Sequence, residues 1–113
     1  MTSTQLKFQE LDELSGAELD YQLAQAIGKK VTFDVKQGIV YHQTHQKLSP
    51  REWCPSKSWA QAGPLIEKYQ VDLIFEWELK NKWTAMIDLK HKSHSMSALE
   101  AAMKTIVLSH QNN

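Results

Sequence analysis

Val71-Asp-Leu-Ile-Phe-Glu-Trp-Glu-Leu79 is followed, after Lys80-Asn81, by Lys82-Trp-Thr-Ala-Met-Ile-Asp-Leu-Lys90. In the first run Val71, Leu73, Phe75, Trp77 and Leu79 fall on one face. Asp72, Glu76 and Glu78 fall on the other, with Ile74 as the apolar exception. In the second run Trp83, Ala85, Ile87 and Leu89 share a face. A period of two rich in β-branched and aromatic residues is the pattern of a half-buried strand. Two such runs across a short polar break predict an antiparallel hairpin, 71–79 with 82–90, with one buried and one mostly wet face.

Working outward, a second and shorter hairpin is predicted from Val31-Thr-Phe-Asp-Val35 and Ile39-Val-Tyr41, joined by Lys36-Gln-Gly38. Residues 42–56 show no period, contain Pro50 and Pro55, and read as a long loop. In 57–69, Pro64 removes a backbone donor and argues against one straight helix. Ser58 with Gln61 caps one short turn, and Gly63-Pro64 reads as a fresh helical start with Leu65, Ile66 and Tyr69 facing the core.

Helix 16–27 is framed by a capping box, Ser15 with Glu18, and by Leu14 and Leu19 at staple positions. Its stripe is Leu19, Leu23, Ala26 and Ile27, and Gly28 is placed to end it. A second capping box, Ser97 with Glu100, opens a last helix whose face carries Leu99, Ala102, Met103, Ile106 and Val107. The expected fold is one α+β domain over 1–113: a single antiparallel sheet of two hairpins with three helical segments packed mainly on one face. Residues 1–13 form a lead-in carrying Leu6, Phe8 and Leu11, and 111–113 a frayed tail.

The 113 residues suit one domain and one core. Apolar residues make up 42% and charged residues 23%, the balance of a folded chain. Lys+Arg and Asp+Glu are both 13, so no global field draws the chain to nucleic acid or an anionic membrane. Cys54 is the only cysteine, which excludes an intrachain disulfide and fits a reducing compartment. With no signal-peptide pattern and no apolar run of membrane length, a cytoplasmic protein without membrane contact is expected.

The most distinctive stretch is Trp53-Cys-Pro-Ser-Lys-Ser-Trp59-Ala-Gln-Ala-Gly63-Pro64-Leu-Ile-Glu67. Two tryptophans in a proline- and glycine-bearing connection read either as a lid on the core or as an aromatic platform that also binds. On the binding reading the site residues are Trp53, Trp59, Gln61, Gly63, Pro64 and Glu67. His42-x-x-His45 and His91-x-x-His94, with Cys54 as a fifth donor, have metal-like spacing, but they lack finger or helix framing, and polar loop text explains them without a metal. Asp72, Glu76 and Glu78 align on one face, for which a solvated surface paired with Lys80, Lys82 and Lys90 is sufficient. Cys54 has no nucleophile motif around it. Lys80, Lys82, Lys90, His91, Lys92 and His94 could reach phosphates, but no aromatic RNA-reading motif accompanies them. No cofactor is expected, and there is no P-loop or dinucleotide fingerprint.

Three blocks, Leu14–Tyr21 running on to Gly28, Pro55–Glu67, and Ala98–Met103, taken in this order, resemble the NinX-type phage proteins. The resemblance covers most of the chain, and its middle block is the most specific. The family pattern carries an acidic residue where Ser58 stands and a glycine where Ala62 stands. The resemblance implies a phage or prophage accessory protein acting in a bacterial cytoplasm, and it supplies no chemistry. The resulting expectation is a non-enzymatic, homo-oligomeric binding protein that captures a small nucleotide-like ligand and counters a host system. A host-protein inhibitor acting by direct contact, or a nucleic-acid-binding module, are the alternatives.

Overall fold

The computed structural model describes residues 13–43, 51–79 and 82–111. Leu6, Phe8, Leu11, His45, Lys80, Asn81 and the end of the tail lie outside these residues. Helix α1 runs Gly16–Ile27, β1 Val31–Asp34, β2 Ile39–His42, α2 Trp59–Tyr69, β3 Asp72–Glu76, β4 Lys82–Ile87, β5 His91–Ser95 and α3 Ala98–Gln111. The α+β class stands. The single sheet of two hairpins does not: β1 and β2 form one antiparallel pair, and β3-β4-β5 form a separate three-stranded antiparallel meander.

The two sheets are kept apart by α3. Small residues, Ala98, Ala101 and Ala102, let neighbours approach its backbone closely, and every residue from Ala98 to Val107 except Glu100 is buried. One side of α3 lies on β4 and β5, α1 packs along it, and α2 touches it; the β1-β2 hairpin packs against α1 instead. A helix buried on several sides, rather than along one stripe, is therefore the centre of the core. Leu19, Leu23, Met103, Ile106 and Val40 are fully enclosed there.

The predicted hairpin of 71–79 with 82–90 is cut short at both ends and gains a third strand. Register pairs Phe75 with Trp83 and Leu73 with Ala85, as the alternation requires. After Glu76, however, the chain turns through a short 3-10 segment, Trp77–Leu79, and Trp77 stands 80% exposed. The second run ends at Ile87. Asp88 (φ 54°) and Leu89 (φ 60°) then make a left-handed turn closed by Lys90 N–H donating to Ile87 C=O at 3.0 Å. Leu89, expected inside, is 76% exposed. The strand that follows, His91-Lys-Ser-His-Ser95, has no apolar signature; it is held by backbone pairing to β4, with only Ser93 buried beneath α3.

The turn carries a measurable strain. Two consecutive positive-φ residues favour Asn-Gly or Asp-Gly, and a leucine there sits in a region costing L-residues roughly 1–2 kcal/mol. Because its side chain is solvent-exposed, Leu89→Gly gives up little burial. It is expected to raise stability by up to about 1 kcal/mol, read as a higher denaturation midpoint at unchanged slope.

Helix α1 begins and ends where predicted, with Gly28 at φ 76° donating its N–H to Ala24 C=O. Its N-terminus is capped differently. Ser15 makes no side-chain cap; the Gly16 N–H instead donates to Glu100 Oε2 of α3 at 3.2 Å. Helix α2 is continuous through Pro64, contrary to the predicted restart. Ser58 does cap it, accepting from Gln61 N–H at 3.3 Å. Proline interrupts only the bond to the Ala60 carbonyl, and Ala60 and Pro64 are both exposed, so the carbonyl is not freed inside the core. Ala62 is fully buried, so its methyl group fills core space.

Candidate functional site

The stripe that α1 buries is Leu19, Asp20, Leu23 and Ala24, so a carboxylate enters the core. Asp20 is 1% exposed. Its Oδ1 accepts the Ser56 N–H at 2.9 Å and its Oδ2 the Ser56 hydroxyl at 2.8 Å. Burial pushes its pKa from 3.8 up to about 6; the two Ser56 bonds and Lys57 oppose the rise, and nearby Glu100 adds to it. Ser56 Oγ also lies 3.4 Å from the Gly16 carbonyl.

Glu100 extends this node. In the second capping box its N–H donates to Ser97 Oγ at 3.2 Å, as predicted. Its carboxylate does not reach back to Ser97. It takes the Gly16 N–H and, at 3.3 Å, the Ser95 hydroxyl. One side chain thereby ties β5, the start of α1 and the start of α3. No buried side-chain nitrogen or oxygen among the described residues lacks a partner.

Above the node lies a shallow open groove of about 500 Å³, lined by Ser56, Lys57, Trp59 and Ser97 to Glu100. Trp59 occupies the first position of α2 and is 60% exposed. The other proposed site residues divide. Trp53 is 4% exposed and belongs to the core cluster, with Lys29 Nζ 5.6 Å from its ring. Gln61 braces the turn before α2: its Oε1 accepts the Cys54 N–H at 2.6 Å and its Nε2 donates to Glu52 C=O at 3.0 Å. Gly63, Pro64 and Glu67, with Lys68, line a second open depression of about 550 Å³ on the outside of α2.

The described histidines of the two predicted pairs do not gather. His42 ends β2 while His91 and His94 are on β5, in different sheets. Among the described residues no three His, Cys, Asp or Glu side chains are grouped to hold a metal ion. His94 Nδ1 lies 2.7 Å from Thr84 Oγ1, which donates to Glu76 Oε2 at 2.8 Å. Glu76 is thus committed to a cross-strand chain on the outer sheet face. Burial, Glu52 and Asp20 push the Cys54 thiol up, and burial, Lys29 and Arg51 push the His42 imidazolium down. Both shifts favour the neutral forms, the opposite of an activated thiolate–imidazolium pair.

Asp20 and Glu100 were the residues missed. Asp20 lies within the stripe 19–20–23–24, one position from the stripe 19–23–26–27 that the sequence suggested. Glu100 was identified as a local cap, and its long-range role has no local signal.

These features define a small α+β domain whose buried polar node opens onto a shallow aromatic groove. The chain belongs to the phage family described as Bacteriophage P22, NinX, whose model matches residues 10–110. It is a phage-encoded accessory protein. A comparison with curated proteins found no match. The three blocks that carry the resemblance meet in space at this node: Gly16 and Asp20 from the first, Ser56 and Trp59 from the second, Glu100 from the third. None of the helices in the described residues is long and apolar enough to cross a membrane.

Proposed function

We propose that the protein is a non-enzymatic binding protein that takes a small, planar, nucleotide-like ligand in the Trp59 groove and so counters a host system. The observation that supports this reading is the position of Trp59. It begins a helix with a buried face, yet its indole stands over a groove instead of joining the core. A planar ring stacks on such a face without regard to its edge, and this contact is worth ~1–3 kcal/mol per base. Ser97 and Glu100 supply polar groups at the groove floor and Lys57 a cation at its side. Glu100 already neutralises the start of α3, so the base, rather than a phosphate, belongs at that end.

Isothermal titration with each of the four ribonucleoside monophosphates tests the reading, alongside native mass spectrometry of freshly purified protein before and after denaturation. Trp59→Ala is expected to weaken binding by about 5- to 150-fold, matching the stacking energy. A retained nucleotide-sized adduct that survives in Trp59→Ala at wild-type occupancy would refute the assignment, as would the absence of any heat or adduct in the wild type.

A further inference from the structure

Seven large apolar side chains stand in solvent among the described residues, and five of them belong to the meander: Ile74, Phe75, Trp77, Leu89 and Met96. Their placement is not random. Ile74 and Phe75 are on β3 and Trp77 follows it directly, while Leu89 leads into β5 and Met96 leaves it. β3 and β5 are the two outer strands of this sheet, and neither outer edge has a strand partner among the described residues. An edge flanked by exposed apolar groups is a template for further pairing.

The two edges also differ in charge. β3 carries Asp72 and Glu76 with Glu78 just beyond; β5 carries Lys92 between His91 and His94, with Lys90 just before. Since β4 is antiparallel to both, β3 and β5 run in the same direction. The register aligns Asp72, Met86 and Lys92 in one row across the sheet, and Phe75, Trp83 and Ser95 in another.

We infer that copies of this chain associate head to tail, β3 of one copy adding in parallel to β5 of the next. A copy translated along the sheet continues each row. Lys92 of one copy then meets Asp72 of the next, and Ser95 meets Phe75, whose ring stacks edge-on with Trp77 at 6.1 Å. Charge disfavours the two-fold alternatives. Pairing β3 with β3 about Ile74 would set Asp72 against Glu76 twice, and pairing β5 with β5 would join two basic edges, each a like-charge cost. The interface is heterologous, so it generates rings or open chains of copies, not a two-fold dimer. It is independent of the Trp59 groove.

Sedimentation velocity over a wide range of protein concentration tests this. The wild type should grow beyond a dimer as concentration rises. Asp72→Lys and Lys92→Glu, both at exposed positions and checked for fold by circular dichroism, should each raise the dissociation constant about tenfold. Mixing the two variants is the decisive step. The Lys92→Glu chain keeps its β3 edge and the Asp72→Lys chain keeps its β5 edge, and the two exchanged edges also pair opposite charges, so the mixture should assemble alternately and grow beyond a dimer as the wild type does. The doubly exchanged chain should regain extended assembly. A wild type that stays monomeric, including one that instead recruits a strand from another protein, overturns the inference. So does a mixture no tighter than either variant alone.

Discussion

Trp53→Ala is expected to cost about 3–5 kcal/mol of folding stability, while Trp59→Ala, at the far end of the same short segment, stays within about 0.5 kcal/mol of the wild type. The difference follows from the backbone around Trp53. Residues 51–53 run beside β2: His42 N–H donates to Arg51 C=O at 2.9 Å, Trp53 N–H donates to Val40 C=O at 2.7 Å, and Tyr41 bridges Glu52. This pairing draws the indole into the core that contains Val40, Leu23 and Ala24. Removing it deletes a large apolar surface and leaves a void that the surrounding backbone, fixed by those bonds, closes only in part. Lys29 above the ring and His42 at 6.5 Å lose their aromatic partner as well. Domains of this size are stable by roughly 5–15 kcal/mol, so the variant approaches the threshold of folding. Urea denaturation of both variants measures the contrast. Equal losses in the two would mean that Trp59 also belongs to the core, and the groove would then have no exposed aromatic wall.

That contrast also marks where the sequence could be read and where it could not. Both tryptophans sit in text of the same composition, and only the pairing of residues 51–53 with β2, a contact outside the local pattern, separates them. Local signals were sound wherever one segment determines its own geometry. The end of α1 at Gly28, the turn at Gly38 and the cap at Ser58 all follow from residues within a few positions. β5 was missed because a polar strand held by backbone bonds to a stronger neighbour needs no apolar alternation. The primed turn at Asp88-Leu89 was missed because leucine is the wrong residue for it. The division into two sheets depends on α3 being buried on several sides. Its alanines permit that, but its stripe of larger residues looks the same for a helix covered on one face.

The site was legible only as a neighbourhood. The segment 53–67 does supply Ser56, Lys57 and Trp59 to the groove, but the groove floor comes from Ser97 and Glu100, some forty residues later. A capping box announces Glu100 as a local partner of Ser97. Nothing within the helix announces that its carboxylate will leave that position for the Gly16 N–H, eighty-four residues earlier in the chain.

The second large effect concerns Asp20 and pH. Its folded-state pKa of about 6 lies above the ordinary value of 3.8, so the native chain holds this proton more tightly than the unfolded chain does. Well below pH 3.8 both states are protonated and the buried group costs no stability. As pH rises from there to about 6 the unfolded state loses the proton first, and the stability contributed by the protonated group is lost; above that it stays lost. A shift of this size corresponds to roughly 3 kcal/mol over the whole titration, most of it lost between pH 4 and pH 7. Asp20→Asn removes the titration while keeping the shape. Its carbonyl can accept the Ser56 N–H, and its amide can donate to Ser56 Oγ, whose own proton then turns to the Gly16 carbonyl already 3.4 Å away. The expected result is a chain about 1–3 kcal/mol more stable than the wild type at pH 7 and equal to it near pH 4, with the falling slope between those values gone. Asp20→Ala should behave differently. It also removes the slope, but it strands the buried Ser56 N–H and hydroxyl at a cost of ~1–3 kcal/mol. Denaturation midpoints of the three proteins, taken from pH 4 to pH 8, separate these outcomes. If Asp20→Asn kept the wild-type slope, another group would be the one that titrates. If it were as weakened as Asp20→Ala at every pH, the negative charge itself would hold Ser56 in place, and the node joining α1 to the wall of the groove would depend on an ionised, not a neutral, carboxyl.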